Sequence, residues 1–191
     1  FAELFEDRQL SNDCKAAEKK LVKAASKVYK KFLASCPAPD APGSKQVTAL
    51  MTITGLIDAP KADKEFLSIN GAQGFSTFYG YYMLEAMAMA GNYQGALDVI
   101  REYWGAMIDL GATSFWEDFD INWIPNAAPI DELVPEGKKD IHGDCGAYCY
   151  VGFRHSLCHG WASGPTSWLS RHILGVEVIE PGCRQVRITP H

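Results

Sequence analysis

Several things are scarce or missing in this sequence, and each narrows what the chain can be. Basic charge is not in excess: 18 lysines and arginines stand against 23 aspartates and glutamates, for a formal net charge of −5. A protein that follows a phosphate backbone needs cationic surface to displace counterions, so a nucleic-acid partner is not expected. Long apolar runs are also missing. The longest stretch without a charge, 66–84, is broken by Asn70, Gln73 and three glycines, whereas a helix crossing hydrocarbon needs roughly 20 predominantly apolar residues. The expectation is a soluble chain with no membrane partner. The six cysteines are too sparse and too irregularly spaced for a disulfide-built miniprotein, and they leave the compartment open. No phosphate-cradling loop is present either, because Gly71-Ala72-Gln73-Gly74 precedes a helical pattern but follows no strand. The first residues, Phe1 to Glu6, carry neither an initiator methionine nor a leader pattern, and Arg187 to His191 fall inside a β-pattern. Both ends are expected to be cuts from a longer protein.

The remaining pattern is mainly helical. Leu21, Ala25, Val28 and Phe32 recur at helical spacing between Ser11 and Leu33, with lysines on the other positions, which predicts an amphipathic surface helix whose lysines form a solvated face. The proline-rich segment 35–43 must be a loop. A second helix is predicted from Ser44 through Thr54, stopping at Gly55, then a short polar segment and a turn at Asn70-Gly71. From Phe75 to Met89, apolar and aromatic residues surround nearly the whole helical circumference, predicting a helix buried on most sides and ended by Gly91. Asn92 is placed to cap the next helix, whose Leu97, Ile100, Trp104, Met107 and Ile108 share one face. The pair makes an αα-hairpin. A last helix begins near Gly164-Pro165 and stops at Gly175, and Val176 to Ile179 and Val186 to Ile188 read as two short strands around Glu180-Pro181-Gly182.

Between Gly111 and Gly164 the chain has little periodicity but many aromatic residues. Long irregular segments of this kind are usually functional when they are not disordered, and the functional site is expected here. Its richest acidic cluster is Trp116-Glu117-Asp118-Phe119-Asp120. Carboxylates beside aromatic faces suit sugar hydrolysis, in which rings pack on the pyranose and a carboxylate acts as acid, base or nucleophile. Helix-end or loop capping by Asp118 and Asp120 explains the same spacing. A second cluster, Asp140, His142, Asp144, Cys145, Cys149, His155, Cys158 and His159, holds metal-ligand residue types. It lacks paired zinc spacings, and adjacent Cys158-His159 rarely both bind one ion, so no metal or cofactor is expected. No cysteine-hydrolase signature surrounds Cys149 or Cys158, which leaves a nucleophilic thiol without specific support.

The segments Gly111 to Asp120, Ser156-Leu157-Cys158-His159-Gly160-Trp161 and Gly164-Pro165-Thr166, in this order and with Tyr81 to Ala86 before them and Leu174-Gly175-Val176 after them, resemble the α-L-rhamnosidases of glycoside hydrolase family 78. The resemblance covers most of the chain after Ser44. It implies part of an (α/α)6 toroid of helical hairpins over residues 1–175, with 176–191 as the first strands of a following β-sandwich domain. It also implies inverting hydrolysis of terminal α-L-rhamnosyl linkages in a rhamnose-containing oligosaccharide or glycoside, and export from the cytoplasm. By the same resemblance Glu117 is the general base, His159 contacts the sugar, Trp116 packs near the pocket, and Phe78 and Tyr79 line the funnel. The family's general acid lies in an upstream acidic motif that this chain lacks, so the chain alone is expected to be inactive. An open part-toroid would expose helix faces and favour self-association. Cys158, where members often carry asparagine, and Asp118-Phe119, in place of a basic-aromatic pair, depart from the pattern and bear on leaving-group preference. A different (α/α)6 glycosidase, glucoamylase-like or acting on unsaturated glucuronyl groups, and a non-catalytic helical carbohydrate-binding scaffold stand as alternatives.

Overall fold

Several helix boundaries in this chain fall where the sequence supplies a capping side chain, as at Asp7, Asp58 and Asn92, or a glycine in the left-handed region, as at Gly43, Gly91 and Gly111. The computed structural model describes residues 2, 4–35, 38, 39, 41, 43–141, 143–145 and 155–191, with Leu33 by its backbone only. The protein is mainly α, with six α-helices among the described residues. They divide into two compact units, Phe1–Ala38 and Pro39–His191.

The first unit holds one long helix, α1 (Arg8–Ser35). Asp7 caps it by accepting the Leu10 amide at 2.9 Å. The helix forms as its periodicity predicts, but Leu21 and Val28 of the apolar stripe are exposed. A single helix offers its own unit no second surface on which to bury that stripe. Of the loop predicted at 35–43, Cys36, Pro37, Asp40 and Pro42 lie outside the described residues.

The second unit contains α2 (Ser44–Ile53), α3 (Ala59–Ala62), α4 (Tyr79–Met89), α5 (Tyr93–Asp109) and α6 (Gly164–His172). α3 continues into a π-turn at Asp63–Leu67. It replaces the short polar segment expected there, because the Asp58 carboxylate accepts the Lys61 amide at 3.0 Å and Pro60 occupies the first turn. The Asn70-Gly71 turn uses left-handed φ values of 56° and 53°. It is clamped from both sides: the buried Lys45 ammonium donates to the Gly71 carbonyl at 2.7 Å, and Glu102 accepts the Ala72 amide at 2.9 Å. The Asn92 side chain accepts the Gly95 amide at 3.0 Å, the cap that its position predicts.

α4 packs against α2, α5 and α6, which is why it is apolar nearly all round. Met83, Leu84, Ala86 and Met87 are fully or almost fully buried. α5 buries Ala96, Val99, Tyr103, Trp104, Ala106 and Met107. Of the face expected from the sequence, Trp104 and Met107 are buried and Leu97 and Ile100 pack against the core, while Ile108 is 69% exposed and Val99 and Tyr103 are buried beside them. Two indoles tie α6 and the turn before it to this core: Trp168 Nε1 donates to the Leu84 carbonyl at 3.0 Å, and Trp104 Nε1 donates to the Ala162 carbonyl at 3.2 Å. Each indole thus buries its ring and satisfies its polar end.

Strand is scarce. β1 (Ala127–Ala128) and β2 (Lys139–Asp140) form a two-residue parallel pairing. β3 (Val176–Glu180) and β4 (Gln185–Ile188) are the two short strands that the sequence predicts, and they pair as an antiparallel hairpin with Val176 opposite Ile188. Val178, Ile179, Val186 and Ile188 are exposed, and no second sheet covers them among the described residues.

Candidate functional site

α5 ends at Asp109, and the chain reverses at Gly111, whose φ of +89° suits glycine and whose Cβ would stand 2.9 Å from Ile130. The segment that follows lies beside residues 156–159, running in the opposite direction. The Ser114 hydroxyl donates to the Leu157 carbonyl at 2.5 Å, the His159 amide to the Phe115 carbonyl at 2.8 Å, and the Glu117 amide to the Ser156 carbonyl at 2.8 Å. Two segments far apart in sequence are thereby fixed in register by their backbones. The Thr77 hydroxyl and the Trp161 indole both donate to the Glu117 carbonyl, the latter at 3.2 Å, which joins the start of α4 and the turn before α6 to the same point.

The Glu117 side chain is 13% exposed. Its Oε2 accepts the Ser156 amide at 2.8 Å, and the same oxygen lies 3.8 Å from Nδ1 of His159. Among the described residues Oε1 receives no hydrogen bond. A carboxylate so placed is oriented by one backbone donor and keeps one oxygen for water or a hydroxyl. The His159 ring is 31% exposed and packs on Trp161 with centroids 4.4 Å apart. Trp161 continues to Phe78 at 5.6 Å, and Phe78 to Tyr79 at 5.1 Å. Glu117, His159, Phe78 and Tyr79, named from the sequence, thus follow one continuous chain of contacts through Trp161.

Trp116 sits elsewhere. It is fully buried, packed edge-on to Phe119 at 6.0 Å, and its indole N–H has no hydrogen-bond partner among the described residues. It supports the site from within the core and presents no surface to a ligand. Asp118 is also buried. Asp120 takes the capping role that its spacing allows, accepting the Asn122 amide at 2.9 Å to start a 3-10 turn at Ile121–Trp123.

The Cys/His cluster does not converge where it is described. No three His, Cys, Asp or Glu side chains among the described residues come close enough to share a metal ion. His142 and Cys149 lie outside those residues. His155 is buried with its ring 6.1 Å from Trp123, Cys145 is buried, and Cys158 is exposed.

A second carboxylate, Glu85 on α4, is built differently. Its Oε1 meets Nε2 of His172 at 2.9 Å, and its Oε2 meets the Arg171 guanidinium at 3.5 Å, both from the last turn of α6. Burial pushes the neighbouring Tyr81 phenol up from its ordinary value, Glu85 adds to the effect, and Arg171 opposes it.

Sequence reasoning did not reach the Ser156 donor, because a backbone amide leaves no trace in residue type. Trp161 belongs to the motif 156–161 but carries no role in the resemblance; its place two residues after His159 is the available signal. No helix among the described residues is long and apolar enough to cross a membrane. No protein-family model matches the chain, and no curated protein matches it.

Proposed function

We propose that this chain forms part of an inverting glycoside hydrolase that removes terminal α-L-rhamnosyl residues, with Glu117 as general base. The observation that carries the proposal is the state of that carboxylate: mostly buried, oriented through Oε2 by the Ser156 amide, with no hydrogen bond to Oε1 among the described residues, and beside His159 and Trp161. An inverting hydrolase needs a base that holds a water against the anomeric carbon, with an acid on the opposite face roughly 6.5–9.5 Å away. Glu117 Oε1 accepts the proton of that water as its oxygen attacks, while a carboxylic acid elsewhere protonates the departing glycosidic oxygen. His159 is within reach of a sugar hydroxyl beside the same carboxylate. In this reading the acid belongs to the upstream motif of the resembled family, the helices are a portion of an (α/α)6 toroid, and the 191-residue chain alone does not turn over.

Hydrolysis of a chromogenic α-L-rhamnoside by the longest natural form of the protein, by its Glu117→Gln variant and by the 191-residue chain tests the proposal. The expected pattern is activity in the first and none in the other two. Full activity of the Glu117→Gln variant contradicts the assignment, and inactivity of every form leaves a different glycoside or a non-catalytic carbohydrate scaffold.

A further inference from the structure

Next to the Glu117 site a second concavity of about 420 Å³ opens between the first turns of α4 and α6. Its walls are the rings of Phe78, Tyr81, Tyr82 and Trp161, and its other side is a row of hydroxyls that includes Thr166, Ser167 and Ser170. Phe78 and Trp161 are 39% and 51% exposed, although burial of such rings would stabilise the fold by about 2 kcal/mol or more each. Gly164 lets α6 start directly against Tyr81, since a Cβ there would stand 2.6 Å from that residue's Cβ. The Ser167 and Ser170 hydroxyls give their protons to the Gly164 and Thr166 carbonyls at 3.0 and 2.9 Å, leaving their lone pairs as acceptors. Thr166 is exposed, and its hydroxyl has no side-chain hydrogen bond among the described residues. No charged side chain lines the cleft.

Aromatic faces opposite hydroxyl acceptors, without a charge, match one ligand chemistry. A pyranose ring has an apolar C–H face to lie on an indole and hydroxyls to donate to serine and threonine, while the cleft lining itself offers an anionic ligand no cation, Arg171 lying in the adjoining concavity. Trp161 belongs to both places, because its ring walls the cleft and its Nε1 holds the Glu117 carbonyl. Resting on the carbohydrate reading above, we propose that this cleft is a subsite for a second, neutral pyranose ring of the same oligosaccharide, stacked on Trp161 and held by the α6 hydroxyls.

The test is an NMR titration of the 15N-labelled 191-residue chain with methyl α-L-rhamnopyranoside and, separately, with methyl β-D-glucuronide, following the indole N–H resonances. Trp161→Phe identifies the resonance. The neutral glycoside is expected to shift it, the charged one to leave it unmoved, and Thr166→Val and Tyr82→Ala each to weaken binding by about 3- to 10-fold. An unmoved Trp161 resonance, or undiminished binding in both cleft variants, overturns the subsite. The two proposals fail separately: cleft binding without hydrolysis by any natural form removes the hydrolase and keeps the cleft, whereas Glu117-dependent hydrolysis with Trp161 unmoved does the reverse.

Discussion

Glu117 and Glu85 are nearly equally buried, with side chains 13% and 14% exposed, and each has a histidine beside it. They differ in how their oxygens are occupied. Glu85 gives one oxygen to His172 and the other to Arg171, so its negative charge is spent joining α4 to the end of α6. Glu117 gives one oxygen to a backbone amide that cannot take up its charge by proton exchange, and the other has no hydrogen bond among the described residues. Burial beside a histidine therefore does not distinguish the two carboxylates; on the proposed function, what sets Glu117 apart is an oriented carboxylate with one oxygen that no described residue occupies.

The comparison breaks first on activity. In the longest natural form, Glu117→Gln is expected to lower hydrolysis of an α-L-rhamnoside by about 10²- to 10⁴-fold, while Glu85→Gln stays within about threefold provided the fold survives. Steady-state rates of the two variants side by side decide it. Ser156→Pro deletes the amide that orients Glu117 without touching the carboxylate, and about a 10- to 100-fold loss in kcat is expected. Ser156→Ala keeps that amide and serves as the control, with a rate close to the parent.

On stability the order reverses. Glu85→Ala leaves His172 and Arg171 without their acceptor and is expected to cost about 1.5–3 kcal/mol in denaturant unfolding. Glu117→Gln retains a carbonyl for the Ser156 amide and is expected to cost under about 1 kcal/mol. The smallest effect is a pH dependence at Tyr81. Its folded pKa is raised above the ordinary 10.0, so above that pH the unfolded chain releases its proton first and binds fewer protons than the folded one. The contribution is fully present below pH 10 and is lost as pH rises through the folded value. Tyr81→Phe is expected to flatten that alkaline fall in an unfolding titration.

Much of the helical order was legible because it depends on residue types at fixed offsets. Asn92 before α5, Pro165 at the start of α6 and the glycines at 55, 91, 111 and 175 carry that information locally. Ile108 shows the limit, since a 3.6-residue period fits two overlapping stripes on α5. The choice fell to Tyr103 and Val99 because α4 and the 116–121 segment lie on their side, a tertiary fact. α3 escapes a periodicity reading because it is only four residues long, carries a proline in its first turn and is capped by a single aspartate.

At the site, the resemblance named Glu117 and His159, and no periodicity could have joined them. Backbone hydrogen bonds between 114–117 and 156–159 bring them together. Trp116 shows the converse, for residue type alone does not say whether an indole meets a sugar or a core, and here the packing of Phe119 places it in the core.

The most direct test of an open, proton-accepting Glu117 is chemical rescue. Glu117→Ala in the longest natural form, assayed on an α-L-rhamnoside with and without sodium azide, should be nearly inactive alone and regain turnover with azide. Azide needs no base to attack, and the product should be the inverted β-rhamnosyl azide. Parent-level hydrolysis by Glu117→Ala without azide, or no effect of azide on a folded and inactive variant, would contradict the assignment.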